Sequence, residues 1–205
     1  MTGVDWFSYK QSIGDRTELF SSIADLIRPS RVLYLGSYVD LSPSMVWPGV
    51  TYVDVDKRAK KFFSDEALVA QQLQNRIYRS ETPEVRFVHG DFNSDLPLPQ
   101  NSFDLVISLY SGPSLEAALR YLAPSGVLLT NNSHADSSLA MVSDSLRPLG
   151  AILHRSGSYS ITTETIDEYF QFKSPSKVSQ EYLMTQGRGA ALVRPSFAQL
   201  FVKVR

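Results

Sequence analysis

Five short apolar runs, separated by turns and helical patterns, constrain this chain more than any other feature. They are RVLYL (31–35), VTYVDVD (50–56), VRFVHGDF (85–92), FDLVISLY (103–110) and SGVLLTNN (125–132). Strand patterns that alternate with helical ones argue for a mostly parallel sheet with helices on both faces. Runs as continuously apolar as RVLYL, LVISL and VLLT suit strands buried on both sides. In an open parallel sheet, ligands bind outside the carboxyl ends of the strands, near the point where strand order reverses. The informative residues are therefore those at the run ends: Gly36, Asp54, Asp91 and Ser108-Leu109-Tyr110.

The intervening stretches carry helix signals. DRTELFSSIADLIRP opens on an Asp15-x-x-Glu18 capping pattern, presents the stripe Leu19, Phe20, Ile23, Leu26 and Ile27, and stops at Pro29. KRAKKFFSDEALVAQQLQNRIY (57–78) is expected to be helical with a break near Ser64. Ser64 is expected to cap the second part, whose apolar face is Leu68, Val69, Leu73 and Ile77. SPSMVW suits a turn or two of helix, and SLEAALRYL a short helix. SSLAMVSDSLRPLG reads as a helix ended by Gly150. AILHR and FAQLFVKVR read as two further strands. Residues 162–196 fit the alternation less well and read as an insertion before the last strand, which covers the site or makes a dimer contact.

A chain of 205 residues suits one domain spanning 1–205. Lys plus Arg number 20 against 21 Asp plus Glu, so no charge field draws nucleic acid or an anionic membrane. The absence of cysteine excludes disulfides and thiolate chemistry. The three histidines, His89, His134 and His154, lack metal-ligand spacing, so no metal is expected. With no signal-like N-terminus and no apolar run of membrane-spanning length, the expectation is a soluble cytoplasmic protein.

Order and spacing of VLYLGS, VTYVDVD, VRFVHGDF and FDLVISLY, with the later YLAPSGVLL, resemble the class I S-adenosylmethionine-dependent methyltransferases from about Arg31 to Asn132. The resemblance implies a Rossmann-like α/β fold: a mostly parallel seven-stranded sheet with helices on both faces and an antiparallel last strand. It also implies that 151–155 and 197–204 form an antiparallel pair at one sheet edge. S-adenosyl-L-methionine is the implied cofactor. Cofactor contacts would come from Gly36, Ser37, Asp54, Asp91 and Phe92, with Asp54 on the ribose hydroxyls and Asp91 near the adenine amine.

The first motif departs from the family's acid-x-Gly-x-Gly-x-Gly. Those slots hold Tyr34, Gly36, Tyr38 and Asp40. Tyr34 cannot supply the charge that meets the methionine ammonium; Asp40 is the candidate replacement. Tyr38 must take another backbone shape or project its ring into the groove, because glycine alone is free at positive φ. Each candidate also has a plainer reading. Gly36 and Gly90-Asp91 suit ordinary turns, and Asp54 a solvated strand end. Tyr110 suits the turn at Gly112-Pro113, and His134 a loop before a helix cap.

Methyl transfer needs positioning more than covalent help. Tyr110 and His134 are the candidate acid–base groups. The expected activity is methylation of a small-molecule acceptor, without nucleic acid or membrane and with a homodimer possible. The alternative is a methyltransferase-fold protein that no longer catalyses and serves as a binding or partner subunit. A dinucleotide oxidoreductase ranks third, because Gly-x-Gly-x-x-Gly would need glycine where Tyr38 and Leu41 stand.

Overall fold

A computed structural model describes residues 4–79 and 81–204. Strands β1 (Val32–Leu35), β2 (Gly49–Asp54), β3 (Glu84–His89), β4 (Phe103–Ser108), β5 (Leu122–Thr130), β6 (Leu146–Arg155), β7 (Ser158–Thr162) and β8 (Ala198–Lys203) form one sheet in the order β3-β2-β1-β4-β5-β8-β6-β7. The first five are parallel, and β8 runs antiparallel between β5 and β6. The Rossmann-like expectation holds, with eight strands in place of seven. The extra strand is β7, which returns from β6 as an outer hairpin arm after a turn at Ser156-Gly157. Strand order reverses between β1 and β4, which places a crevice at their carboxyl ends.

Helices α1 (Trp6–Ile13), α2 (Thr17–Leu26), α3 (Lys57–Phe63), α4 (Glu66–Gln72), α5 (Leu115–Tyr121), α6 (Asp136–Met141) and α7 (Gln180–Gln186) surround the sheet. One apolar cluster joins Trp6, Phe20, Tyr34, Trp47, Tyr52 and Phe62. The other, on the opposite face, joins Leu33, Leu35, Val53, Phe92, Val106 and Tyr121. Alternate residues of β1 and β2 serve opposite clusters, as the two-residue strand period requires. Asp104 of the FDLV phrase ties β4 to β1 from below. Its Oδ2 accepts from the N–H groups of Ser30 and Arg31, each at 2.9 Å.

Several boundaries differ from the sequence reading. Asp65, not Ser64, caps α4 by accepting from Leu68 N. Helix α4 ends at Gln72, which leaves Ile77 off its apolar face and 58% exposed. Helix α6 ends at Met141, and LRPLG belongs to β6; Gly150 lies inside that strand. Pro148 has no N–H for a regular ladder, and the register shifts between Pro148 and Gly150. Asp15 accepts from Thr17 N, while Arg16 takes the cap position of α2 without a side-chain bond. SPSMVW supplies a 3-10 turn, Ser42–Met45.

Between β7 and β8 the chain makes two 3-10 turns, Asp167–Phe170 and Pro175–Lys177, and then α7. Asn132 anchors this segment: its Nδ2 donates to Ala190 O and its carbonyl accepts from Gly189 N. Among the described residues no helix is long and apolar enough to cross a membrane.

Candidate functional site in the crevice above β1, β2 and β4

The turn after β1 is built on Gly36, at φ 63°, a conformation glycine adopts without steric cost. Gly36 N and Ser37 N both donate to Val53 O of β2, at 2.8 and 3.2 Å. Ser37 is buried, and its hydroxyl donates to Tyr38 O within the turn. Ser111, from the loop after β4, packs its Cβ where a side chain on Gly36 would lie. The glycine therefore permits close approach of this chain's own loop.

Tyr38 meets the problem posed by its missing glycine with a left-handed backbone, φ 46°. Its ring lies edge-on to Tyr9 at 5.0 Å and beneath the Arg58 guanidinium at 5.2 Å. The Tyr38 N–H donates to Asp54 Oδ2 at 2.7 Å, and Asp56 N donates to Asp54 Oδ1 at 2.8 Å. A carboxylate oxygen has two lone pairs, so these bonds orient Asp54 and leave it acceptor capacity. One strand further, Asp91 lies just past the carboxyl end of β3 and accepts from Asn93 N. Phe92 is buried in the apolar cluster with Leu33, Leu35 and Val53.

Asp40 is not a free replacement charge. It is 0% exposed, and its Oδ2 faces Arg16 Nη1 and the Tyr34 hydroxyl, both at 3.3 Å. Its Oδ1 accepts from Ser42 N at 3.0 Å and the Ser42 hydroxyl at 2.5 Å. Burial and the neighbouring Asp40 carboxylate hold the Tyr34 phenol well above its ordinary range, so it stays neutral. Burial alone would pull Arg16 down, but the Asp40 carboxylate beside it raises it, so the guanidinium stays a cation.

Tyr110 follows β4 at φ 60° and is half exposed, with its ring near Phe197 and the Arg16 guanidinium. Behind it runs a hydroxyl chain that sequence reasoning missed. Ser111 Oγ lies 2.6 Å from Ser108 Oγ, which lies 2.5 Å from Ser114 Oγ. Ser114 Oγ donates to Asp136 Oδ2 at 3.0 Å. Asp136 Oδ1 also accepts from Ser114 N and Leu115 N, so Asp136 caps α5 although it belongs to α6. Small polar residues repeated at 108, 111 and 114 were the available signal; the partner at 136 required the fold. His134 is exposed and shares a cavity with Asp136, away from the Tyr110 ring cluster. The structure thus gathers Gly36, Ser37 and Asp54 around one turn, and sets His134 and Tyr110 in separate surroundings.

This sheet order, with a crevice at the carboxyl ends of β1 and β4, is the fold of the class I methyltransferases. Residues 37–130 match the family model described as a methyltransferase domain. The chain is similar to a methyltransferase from Geobacter sulfurreducens at 11% identity, with 100% of this chain and 92% of that one covered and a TM-score of 0.53. It is also similar to the N-methyltransferase NodS from Bradyrhizobium japonicum, solved with S-adenosyl-L-homocysteine, at 11% identity, 93% and 86% coverage and a TM-score of 0.51. A possible histamine N-methyltransferase from Thermotoga maritima gives 11% identity, 97% and 94% coverage and a TM-score of 0.51. These likenesses show the fold. No curated protein sequence matches the chain.

The matched family model and the fold imply S-adenosylmethionine, and the residues present fit its two halves unequally. Asp54 and Asp91 stand at adjacent strand ends with acceptor oxygens, which suits a ribose and an adenine amine. The methionine end lacks its acid: Tyr34 is neutral, Asp40 is ion-paired, and Ser111 fills the open face of Gly36.

Proposed function

We propose that the chain binds S-adenosylmethionine over Gly36, Asp54 and Asp91 and methylates a small-molecule acceptor. The observation that carries this reading is the Asp54 carboxylate, held at the carboxyl end of β2 by the N–H groups of Tyr38 and Asp56. The cofactor supplies an electrophilic methyl group when bound. The chain's part is to position it: Asp54 offers acceptor oxygens to vicinal hydroxyls, and Asp91 an acceptor to an amine. Tyr110 and His134 are the groups able to handle an acceptor's proton. The near-zero net charge of −1 supports a small molecule over nucleic acid.

A second reading, a fold retained for binding without catalysis, is favoured by one observation. Ser111 covers the face of Gly36 that a cofactor's methionine end would approach. Calorimetry with S-adenosylmethionine and S-adenosylhomocysteine separates the two, using the native chain, Asp54→Ala and Ser111→Gly. Micromolar binding that is lost in Asp54→Ala supports methyl transfer. No binding up to millimolar ligand, in either the native chain or Ser111→Gly, overturns it and leaves the second reading.

A further inference from the structure

Away from the Gly36 turn, a cavity of about 350 Å³ lies between the start of α5, the loop from β5 to α6, and α7. That volume is at the small end of ligand sites. Its walls are apolar: Leu115, Leu139, Leu183 and Met184. Leu183 is completely buried, whereas Met184 is 62% exposed, a large apolar side chain left facing water. The polar lining groups are Asn93, Glu116, His134, Asp136 and Gln180; the full charges among them are acidic, with no lysine or arginine among the described lining residues.

Charge selects the occupant. The first N–H groups of α5 would ordinarily attract an anion. Asp136 already takes those of Ser114 and Leu115, so that attraction is quenched. Glu116 is exposed and makes no ion pair with the described residues. The cavity thus offers an apolar body site beside an uncompensated carboxylate. We infer that it binds a small amine with an apolar body. The ammonium meets Glu116, and the hydrocarbon packs between α5, α6 and α7. This inference goes beyond methyl transfer: His134 is shared with that reading, but the binding argued here rests on Glu116 and the apolar walls, and no residue of the Gly36 turn takes part. It also gives the segment before β8 a role: α7 forms the outer wall.

The test uses the full chain with its methionine methyl groups labelled with carbon-13; the Met184 signal is identified by its loss in Met184→Leu. Phenethylamine, phenethyl alcohol and phenylacetate are titrated at neutral pH. Phenethylamine is expected to shift the Met184 methyl signal to saturation, the alcohol to do so more weakly, and the acid not to bind. Glu116→Gln should cut the amine's affinity about two- to fivefold, to the level of the alcohol. Leu139→Phe, checked for an unchanged melting profile, should block all binding. The inference is overturned if phenylacetate binds as well as the amine, if no ligand saturates the Met184 shift, or if Glu116→Gln leaves the preference intact. Native and Glu116→Gln chains are also titrated with S-adenosylmethionine. Equal behaviour there keeps this result separate from that of the methyltransferase reading.

Discussion

Asp40 and Asp54 lie on either side of one loop, and the chain treats them in opposite ways. Asp40 is sealed from water against Arg16, with the neutral Tyr34 phenol between strand and loop. Asp54 is half-buried and held only by backbone N–H groups. The first carboxylate is met by a full positive charge from Arg16 at the cap of α2; the second accepts only from backbone N–H groups among the described residues and keeps acceptor capacity. A carboxylate near a ligand loop can serve as a site only when nothing else in the chain cancels it. In this crevice the rule separates Asp54, which keeps acceptor capacity, from Asp40, whose oxygens are already taken.

The comparison is broken most directly by removing the buried acid. Asp40→Ala leaves the Arg16 guanidinium uncompensated, with Nε already lacking a partner. The expected loss is about 3–5 kcal/mol of stability, measured by denaturant unfolding. Arg16→Met combined with Asp40→Asn should recover most of it, because no lone charge is then buried. A cost below roughly 1 kcal/mol for Asp40→Ala would place the pair in the class of solvated surface ion pairs, and the contrast with Asp54 would fail.

A second, smaller effect sharpens it at the turn. Gly36→Ala forces a side chain to φ 63° and into Ser111. The left-handed backbone alone costs about 1–2 kcal/mol, and the overlap adds to it. Ser111→Gly in the same chain should remove the overlap and leave the backbone part. A double-mutant cycle should therefore show coupling between the two positions. Additive changes would mean that Ser111 does not press on the turn.

The sheet was legible because its signal is local. RVLYL, FDLVIS and VLLT declare doubly buried strands by composition alone, and the residues at their carboxyl ends follow from topology. The edge hairpin was not. Ser158–Thr162 is too short and polar to announce a strand, and it acquires that state only by pairing with Ala151–Arg155. LRPLG misled for a related reason: proline and glycine punctuate helices, yet here they form a bulge in β6. At the site, Gly36 and Asp54 were readable as strand-end residues. The cancellation of Asp40 was not, because Arg16 sits at the cap of α2 and reaches it only through the fold. The link from Ser108 to Asp136 spans two loops and is invisible to any sequence window.

Asp136 extends the comparison to a third carboxylate, one that is buried without a cationic partner. Burial raises its carboxyl above the ordinary 3.8, although the donors of Ser114 and Leu115 and the nearby His134 pull the other way. A raised folded value means that the native state holds its proton longer than the unfolded chain does. The associated stability is present below 3.8 and is lost as pH rises through the folded value. Asp15 and Asp56, whose carboxyls are lowered, contribute with the opposite sign, so the native curve alone mixes the two. The difference between native and Asp136→Asn isolates the residue. Native stability relative to the variant should decline as pH climbs from 3.8. The measurement is urea unfolding at a series of pH values. A difference that instead grows with pH would mean that the α5 N–H groups favour the charged carboxylate more than burial opposes it. Backbone donation from Ser114 and Leu115 would then outweigh burial at Asp136.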